Sequence, residues 1–319
     1  MTDREVLELL NEIDNGYKPT EDEKNKLSII KMIDWRGIEK IPESIGNLNS
    51  LQSLDLSFTR LSKLPESIGN LNSLQTLYLG STQVRELPES IGNLSNLRVL
   101  DLGSTQVREL PESIGNLNSL QSLDLRYTHL SELPESIVNL NNLQILDLSG
   151  TQLSKLPESI VNLHSLWSLN LHSTQLSKLP ESIGNLHSLW SLNLNSTQLS
   201  KLPESIGNLH SLQRLGLSGT HLSELPESIV NLTSLYVLVL EDITLVELPE
   251  ELLSLNIEYK NERYPYLVEN PGIYIHGLKL QKQPVSLFYQ PRELIQKYYD
   301  SEKAELKESK VIFMGDGGA

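Results

Sequence analysis

The apolar residues of this chain fall in one block that keeps returning. From Leu51 to Leu74 the sequence reads LQSLDLSFTRLSKLPESIGNLNSL, and the opening leucine recurs every 23 residues up to Leu235. A proline keeps the same spacing from Pro42 to Pro249. Within a block, Leu54, Asp55 and Leu56 alternate as a short strand does, which turns both leucines inward. Pro65 has no N–H to donate and suits the first position of a short helix. Glu66, Ser67 and Ile68 then predict a turn or two, α or 3-10. Leu51, Leu61, Leu64, Ile68 and Leu71 complete the apolar set. One such unit cannot bury its apolar side alone, whereas stacked copies make a continuous core.

The period and the pattern L-x-x-L-x-L-x-x-[N/T]-x-L are those of a leucine-rich repeat. The fold class expected is therefore α/β: a curved, horseshoe-like solenoid, with a parallel sheet on the concave face and short helices or 3-10 turns outside. Residues 1–48 read as a helical cap and a degenerate first repeat. Within it, 3–13 form an amphipathic helix, Trp35 belongs to the cap, and Lys31 and Arg36 stand where leucine and threonine are expected. Residues 49–255 are the regular repeats, 256–300 a C-terminal cap with strands in IYIHGLKL and an exit helix begun by Pro291, and 301–319 a linker followed by one apolar strand and a glycine-rich end.

Two polar columns read as structural. Thr59 and its equivalents to Thr220 occupy the usual asparagine position, where a hydroxyl bonds loop backbone between neighbouring turns. Asn70 and its equivalents to Asn231 end the outer helix, where asparagine tolerates positive φ. The glutamates that follow each proline suit a helix's first turn. His164, His187 and His210 share an outer column with no second ligand type converging on them, so no metal site is expected.

The variable positions lie on and beside the strand. Trp167 and Trp190 stand at the same register in adjacent repeats, at a position that is mostly glutamine and becomes Tyr236 near the end of the array. Side by side on an exposed rim, they are candidate anchors for a protein partner. Asp124 and Asp147 belong to a carboxylate row that either meets a basic partner or serves solubility. His172, Asp124 and Asp147 are expected to extend the tryptophan patch, and Arg126 and Tyr127, which shares its column with Phe58, are further candidates for partner contact.

Formal charge is −15, from 41 acidic and 26 basic residues. With no basic run, nucleic acid is not an expected partner. Cysteine is absent, which excludes thiol chemistry and disulfide caps. No signal segment opens the chain and no apolar stretch is long enough to span a membrane, so a cytoplasmic location is expected.

The chain ends KVIFMGDGGA. An apolar strand followed by glycines is how a phosphate-binding loop begins. Together with the 23-residue LPxxIxxLxxL units, Pro291, Ile295, Tyr298, Tyr299, Lys310, Gly315, Gly317 and Gly318, this end resembles the Roco proteins, in which leucine-rich repeats precede a Ras-like Roc GTPase and a COR dimerisation domain. The resemblance implies a parent that binds GTP or GDP with Mg²⁺. Gly315, Asp316, Gly317 and Gly318 would open its nucleotide loop, but the lysine and hydroxyl that complete such a loop are not in this sequence. No cofactor and no catalysis are therefore expected of this chain itself. The resemblance implies a regulatory, protein-binding role, toward another protein, the chain's own Roc–COR domains or a second protomer. A stand-alone cytosolic scaffold resembling Ras-interacting leucine-rich-repeat proteins is the alternative. A bacterial effector with a catalytic domain is a third reading, against which the missing cysteine and the glycine-rich end both count.

Overall fold

The computed structural model describes residues 29–31, 39–255, 257–260, 262 and 271–302. The expected N-terminal helix, Trp35, and the loop residues Gly315, Asp316, Gly317 and Gly318 lie outside them.

The repeats form a solenoid on a parallel sheet. Strands β1 (Ile29–Lys31), β2 (Ser53–Asp55), β3 (Thr76–Tyr78), β4 (Val99–Asp101) and β5 (Ser122–Asp124) pair in chain order. β6 (Ile145–Asp147), β7 (Ser168–Asn170), β8 (Ser191–Asn193), β9 (Arg214–Gly216) and β10 (Val237–Val239) continue the series. From β2 onward equal positions of consecutive repeats face each other, as Leu54 faces Leu77. Each strand returns through a five-residue 3-10 helix, Glu66–Asn70 in the second repeat, on the opposite side. The leucine columns between the two layers are fully buried, from Leu51, Leu54 and Leu56 onward. Each turn thus covers the apolar side of the next.

β1 departs from the expected frame. Ile30, not Lys31, pairs with Leu54, so one extra residue separates the first strand from the second. The slip gives isoleucine the register position at which later repeats carry leucine.

The C-terminal end is not a simple continuation. β11 (Thr244–Leu245) leaves the main sheet and pairs with β14 (Lys279–Leu280). β13 (Gly272–Tyr274) lies between β10 and β12 (Tyr259–Lys260), so the later strand is the inner one. Residues 292–302 are helical. This helix lays Ile295 and Tyr299, both buried, against the last turn. Tyr299 Oη donates to the carbonyl of Leu248 at 2.6 Å. The Gln283 amide both accepts from the Leu248 N–H and donates to the Tyr299 hydroxyl. These bonds satisfy the N–H and carbonyl of Leu248.

The polar columns are structural, though not in the expected way. The threonine hydroxyls are buried and donate within their own repeat, to the carbonyl three residues back: Thr151 Oγ1 to Leu148 O at 2.7 Å, and likewise from Thr59 to Thr220 in every repeat but that of Thr82. They do not bridge neighbouring turns. Nor does the asparagine column supply positive φ. That conformation belongs to Phe58, Ser81, Ser104, Tyr127, Gly150, Ser173, Ser196, Gly219 and Asp242, one per repeat. At this position the chain turns off the strand while the N–H still reaches the next repeat, as Tyr127 N does to Ser149 O at 2.7 Å. The Asp/Asn column supports the turn. Asp124 Oδ1 accepts the N–H of Arg126 at 3.0 Å and Asp147 Oδ1 that of Ser149 at 2.9 Å. Asn170 and Asn193 do the same. These are Asx turns, which explains a carboxylate row without a partner. On the outer face several of the glutamates reach forward to the next repeat: Glu43 accepts from Ser67 N, Glu112 from Ser136 N and Glu204 from Ser228 N.

Candidate protein-binding surface

The residues singled out from the sequence divide into two groups at opposite ends of the strands. Trp167 precedes β7 and His172 follows it, five residues apart, or about 16 Å of extended chain. The expected single patch is therefore two.

The first group is a ladder of rings at the strand entrances. Trp167 and Trp190 meet edge to face with centroids 6.0 Å apart. Trp190 meets Tyr236 in the same manner at 6.5 Å, across the intervening repeat. Arg214, the first residue of β9, fills that gap. Its guanidinium lies 4.8 Å from the Trp190 centroid and 5.7 Å from that of Tyr236, and its Nε donates to Tyr236 Oη at 3.1 Å. The cation thus fixes two ring planes, and each such contact is worth about 0.5–2 kcal/mol. Sequence reasoning missed Arg214. Its signal was a lone charge in a strand column otherwise made of Ser, Thr, Val and Ile.

Beside this ladder the concave face is unusually apolar. Gly216 replaces the Asp/Asn of most earlier strands, the Asn195 amide lies against it, and a hollow of about 140 Å³ is lined by β8, β9 and β10. Val237, Val239 and Tyr274 form a small buried cluster there, with Tyr236 packed against it. Rings, guanidinium and hollow make one continuous ledge of side chains in mutual contact.

The second group lies at the strand exits. Arg126 pairs with Asp124 at 3.1 Å, and burial raises the Asp124 pKa to about 6, with Asp101 and Asp147 adding repulsion against the lowering effect of Arg126. The Asp147 carboxylate also accepts from Asn170 Nδ2 at 3.1 Å. The His172 ring contacts Asn195 O and Ser173 Oγ. Tyr127 is 59% exposed, and its ring lies over Gly150, where a Cβ would strike it. Phe58, in the same column, is 70% exposed. Among the described residues no cluster of His, Asp and Glu suits a metal ion, and no helix is long and apolar enough to cross a membrane.

The family model described as "Leucine-rich repeat region" matches residues 68–124, 113–194 and 181–257, and that described as "Leucine Rich Repeat" matches 50–71. The chain belongs to the leucine-rich repeat family. A search of curated proteins gave no significant match. Among solved structures, the Leptospira interrogans LRR protein LIC12759 is similar at 32% identity and TM-score 0.71, over 77% of this chain and 60% of that one. The plant peptide hormone receptor RGFR1 in complex with RGF2 is 34% identical with TM-score 0.64, over 75% of this chain and 38% of the receptor. This leucine-rich repeat chain therefore spans well under the full length of both. An internalin, inlF of Listeria monocytogenes, shares the fold at 20% identity and TM-score 0.62.

Proposed function

We propose that this chain is a non-catalytic protein-binding module, and that it grips its partner with the ledge of Trp167, Trp190, Arg214 and Tyr236. The observation that carries the proposal is the stack of rings around one guanidinium at the rim of an array whose other repeats mostly carry glutamine there. Trp, Tyr and Arg are the residues most enriched among binding hot spots. Rings that already pack on one another lose less side-chain entropy on binding than free ones do. The similar plant peptide hormone receptor RGFR1 is found in complex with RGF2, which supports a binding role.

The finer reading is that the module is the repeat arm of a Roco-type GTPase, acting on nucleotide state or dimerisation through its Roc–COR domains. It rests on the resemblance of the last ten residues. Reading the coding region beyond Ala319 tests it: an in-frame G-K-[ST] supports Roco parentage, and a stop codon removes it. The binding role is tested by Trp167→Gln with Trp190→Gln, the residue most repeats carry there. The fold should persist by circular dichroism, and affinity for the remaining domains of the parent should fall at least tenfold. Unchanged affinity would return the two tryptophans to edge packing.

A further inference from the structure

The flank of the solenoid carries a second, independent pattern. The residue two before each proline is charged in every repeat, and exposed in all ten. Its sign runs in blocks. Glu86, Glu109 and Glu132 are followed by Lys155, Lys178 and Lys201. Lys40 and Lys63 precede the acids, and Glu224 and Glu247 follow the lysines.

This row is antisymmetric about its own midpoint, between Glu132 and Lys155. Reversed and laid on itself, it sets Glu132 against Lys155, Glu109 against Lys178, and Glu86 against Lys201. The outer positions obey the same rule, Lys63 against Glu224 and Lys40 against Glu247. Five of five pairings are opposite in sign, and a two-fold axis would make each of them twice. We propose that this flank is a self-complementary interface and that its occupant is a second, antiparallel copy of this chain.

The geometry allows it. A two-fold axis that runs from the concave to the convex side reverses the row but keeps both arcs curving the same way. The two rows then follow each other along the whole solenoid. The inner neighbours raise no conflict, because Arg85 and Arg108 fall opposite Ser200 and Ser177. The glutamates that follow the prolines would meet their like across the axis, Glu135 against Glu158 and Glu112 against Glu181; Glu43, Glu112, Glu135, Glu158 and Glu204 are each bonded along their own chain to a serine of the next repeat. Between the charges the floor carries leucine and proline beside the outer glutamates. Leu110, Leu133, Leu156 and Leu179 are 6–8% exposed whereas the strand leucines are at most 1%, and two shallow grooves of about 400 and 530 Å³ run beneath them. Among the described residues Glu109, Glu132, Lys155, Lys178 and Lys201 make no ion pair within the chain.

The strip is large enough. Nine repeat spacings of about 4.8 Å give about 43 Å, and six residues of flank about 20 Å, hence about 800 Å² per copy, the size of a standard interface. Two copies of charge −15 repel at long range, but the screening length at physiological salt is about 8 Å, which spares charges in contact. Isologous pairing of one patch with itself is the commonest form of protein assembly.

The test is a charge swap read by sedimentation velocity. The wild-type chain at 0.1 mM in 0.15 M salt should sediment as a dimer and dissociate in 1 M salt. Glu109→Lys with Glu132→Lys should be monomeric, because lysine then meets Lys178 and Lys155. Lys155→Glu with Lys178→Glu should be monomeric for the mirror-image reason. Mixed one to one, the two variants should form a heterodimer, since all four central pairs are again opposite. Should either reversal fail to fold, Lys155→Gln with Lys178→Gln should weaken the dimer at least tenfold. A monomeric wild type, reversal variants that still dimerise, or a mixture that stays monomeric would overturn the proposal. Trp167→Gln with Trp190→Gln should leave the dimer intact, which separates this surface from the ledge.

Discussion

Gly150 and Gly219 share a backbone conformation but not a neighbourhood, and the difference isolates what Tyr127 does. Their φ values are +69° and +63°. Placing an alanine in this left-handed region costs about 1–2 kcal/mol, offset by about 0.4–1 kcal/mol from the stiffer unfolded chain. Gly219→Ala should therefore destabilise by about 0.5–1 kcal/mol, because the nearest atom to its Cβ, Ser196 Oγ, is at an ordinary 3.4 Å. At Gly150 the added Cβ would strike the edge of the Tyr127 ring. The exposed ring can swing aside, so the extra cost belongs at the low end of overpacking, about 1 kcal/mol. Gly150→Ala should thus cost about 1.5–2 kcal/mol. Urea unfolding of both variants, and of each in a Tyr127→Ser background, gives the full comparison. With the ring gone the two alanines should cost the same. Equal costs with Tyr127 present would refute the claim that Gly150 makes room for that ring and holds it flat on the rim.

Other outcomes follow from the same geometry. Leu148→Ala, at a fully buried position, should cost about 2–5 kcal/mol, while Gln152→Ala on the exposed flank should cost little in the same urea melts. Asp124 has a raised folded-state pKa, so in the window from 3.8 to about 6 the folded chain binds more protons than the unfolded one, and the stability associated with this group is lost as pH rises through it. Asp124→Asn keeps the Asx-turn acceptor and should raise stability at pH 7 by about 1 kcal/mol after allowance for solvent screening, with no gain at pH 3.5. A fluorescent GTP analogue with Mg²⁺ should give no saturable signal with this chain, and micromolar binding would contradict the reading of its glycine-rich end.

The repeat was legible because its information is redundant. A period of 23 states the same inward leucines nine times from Leu51 to Leu235, and only the stacked sheet satisfies all of them. The first strand was not, because two isoleucines precede Lys31 and only pairing shows which of them matches Leu54. The left-handed column was hidden for a different reason. It is filled by Phe, Ser, Tyr, Gly and Asp, so no glycine signature marks it, and the Asx bond that supports it is invisible without coordinates. The order β10–β13–β12 depends on a long-range crossover that local pattern does not encode. At the ledge, the ring column was readable at Trp167 and Trp190, but Arg214 sits one residue further along in another repeat. The sequence puts these residues in different columns, and the packing of β9 against its neighbours puts them in contact.

Hydroxyl-radical footprinting measures the central claim directly. The complex of this chain with the partner recovered for it, or with the proposed Roc–COR domains, is oxidised briefly and the labelled side chains are read by mass spectrometry. Phe58 and Tyr289, exposed elsewhere on the described surface at 70% and 45%, serve as internal references. Binding should lower the oxidation of Trp167, Trp190 and Tyr236 at least threefold and leave both references unchanged. Protection of the references with the three ledge rings still fully labelled would contradict the assignment of the ledge as the binding surface.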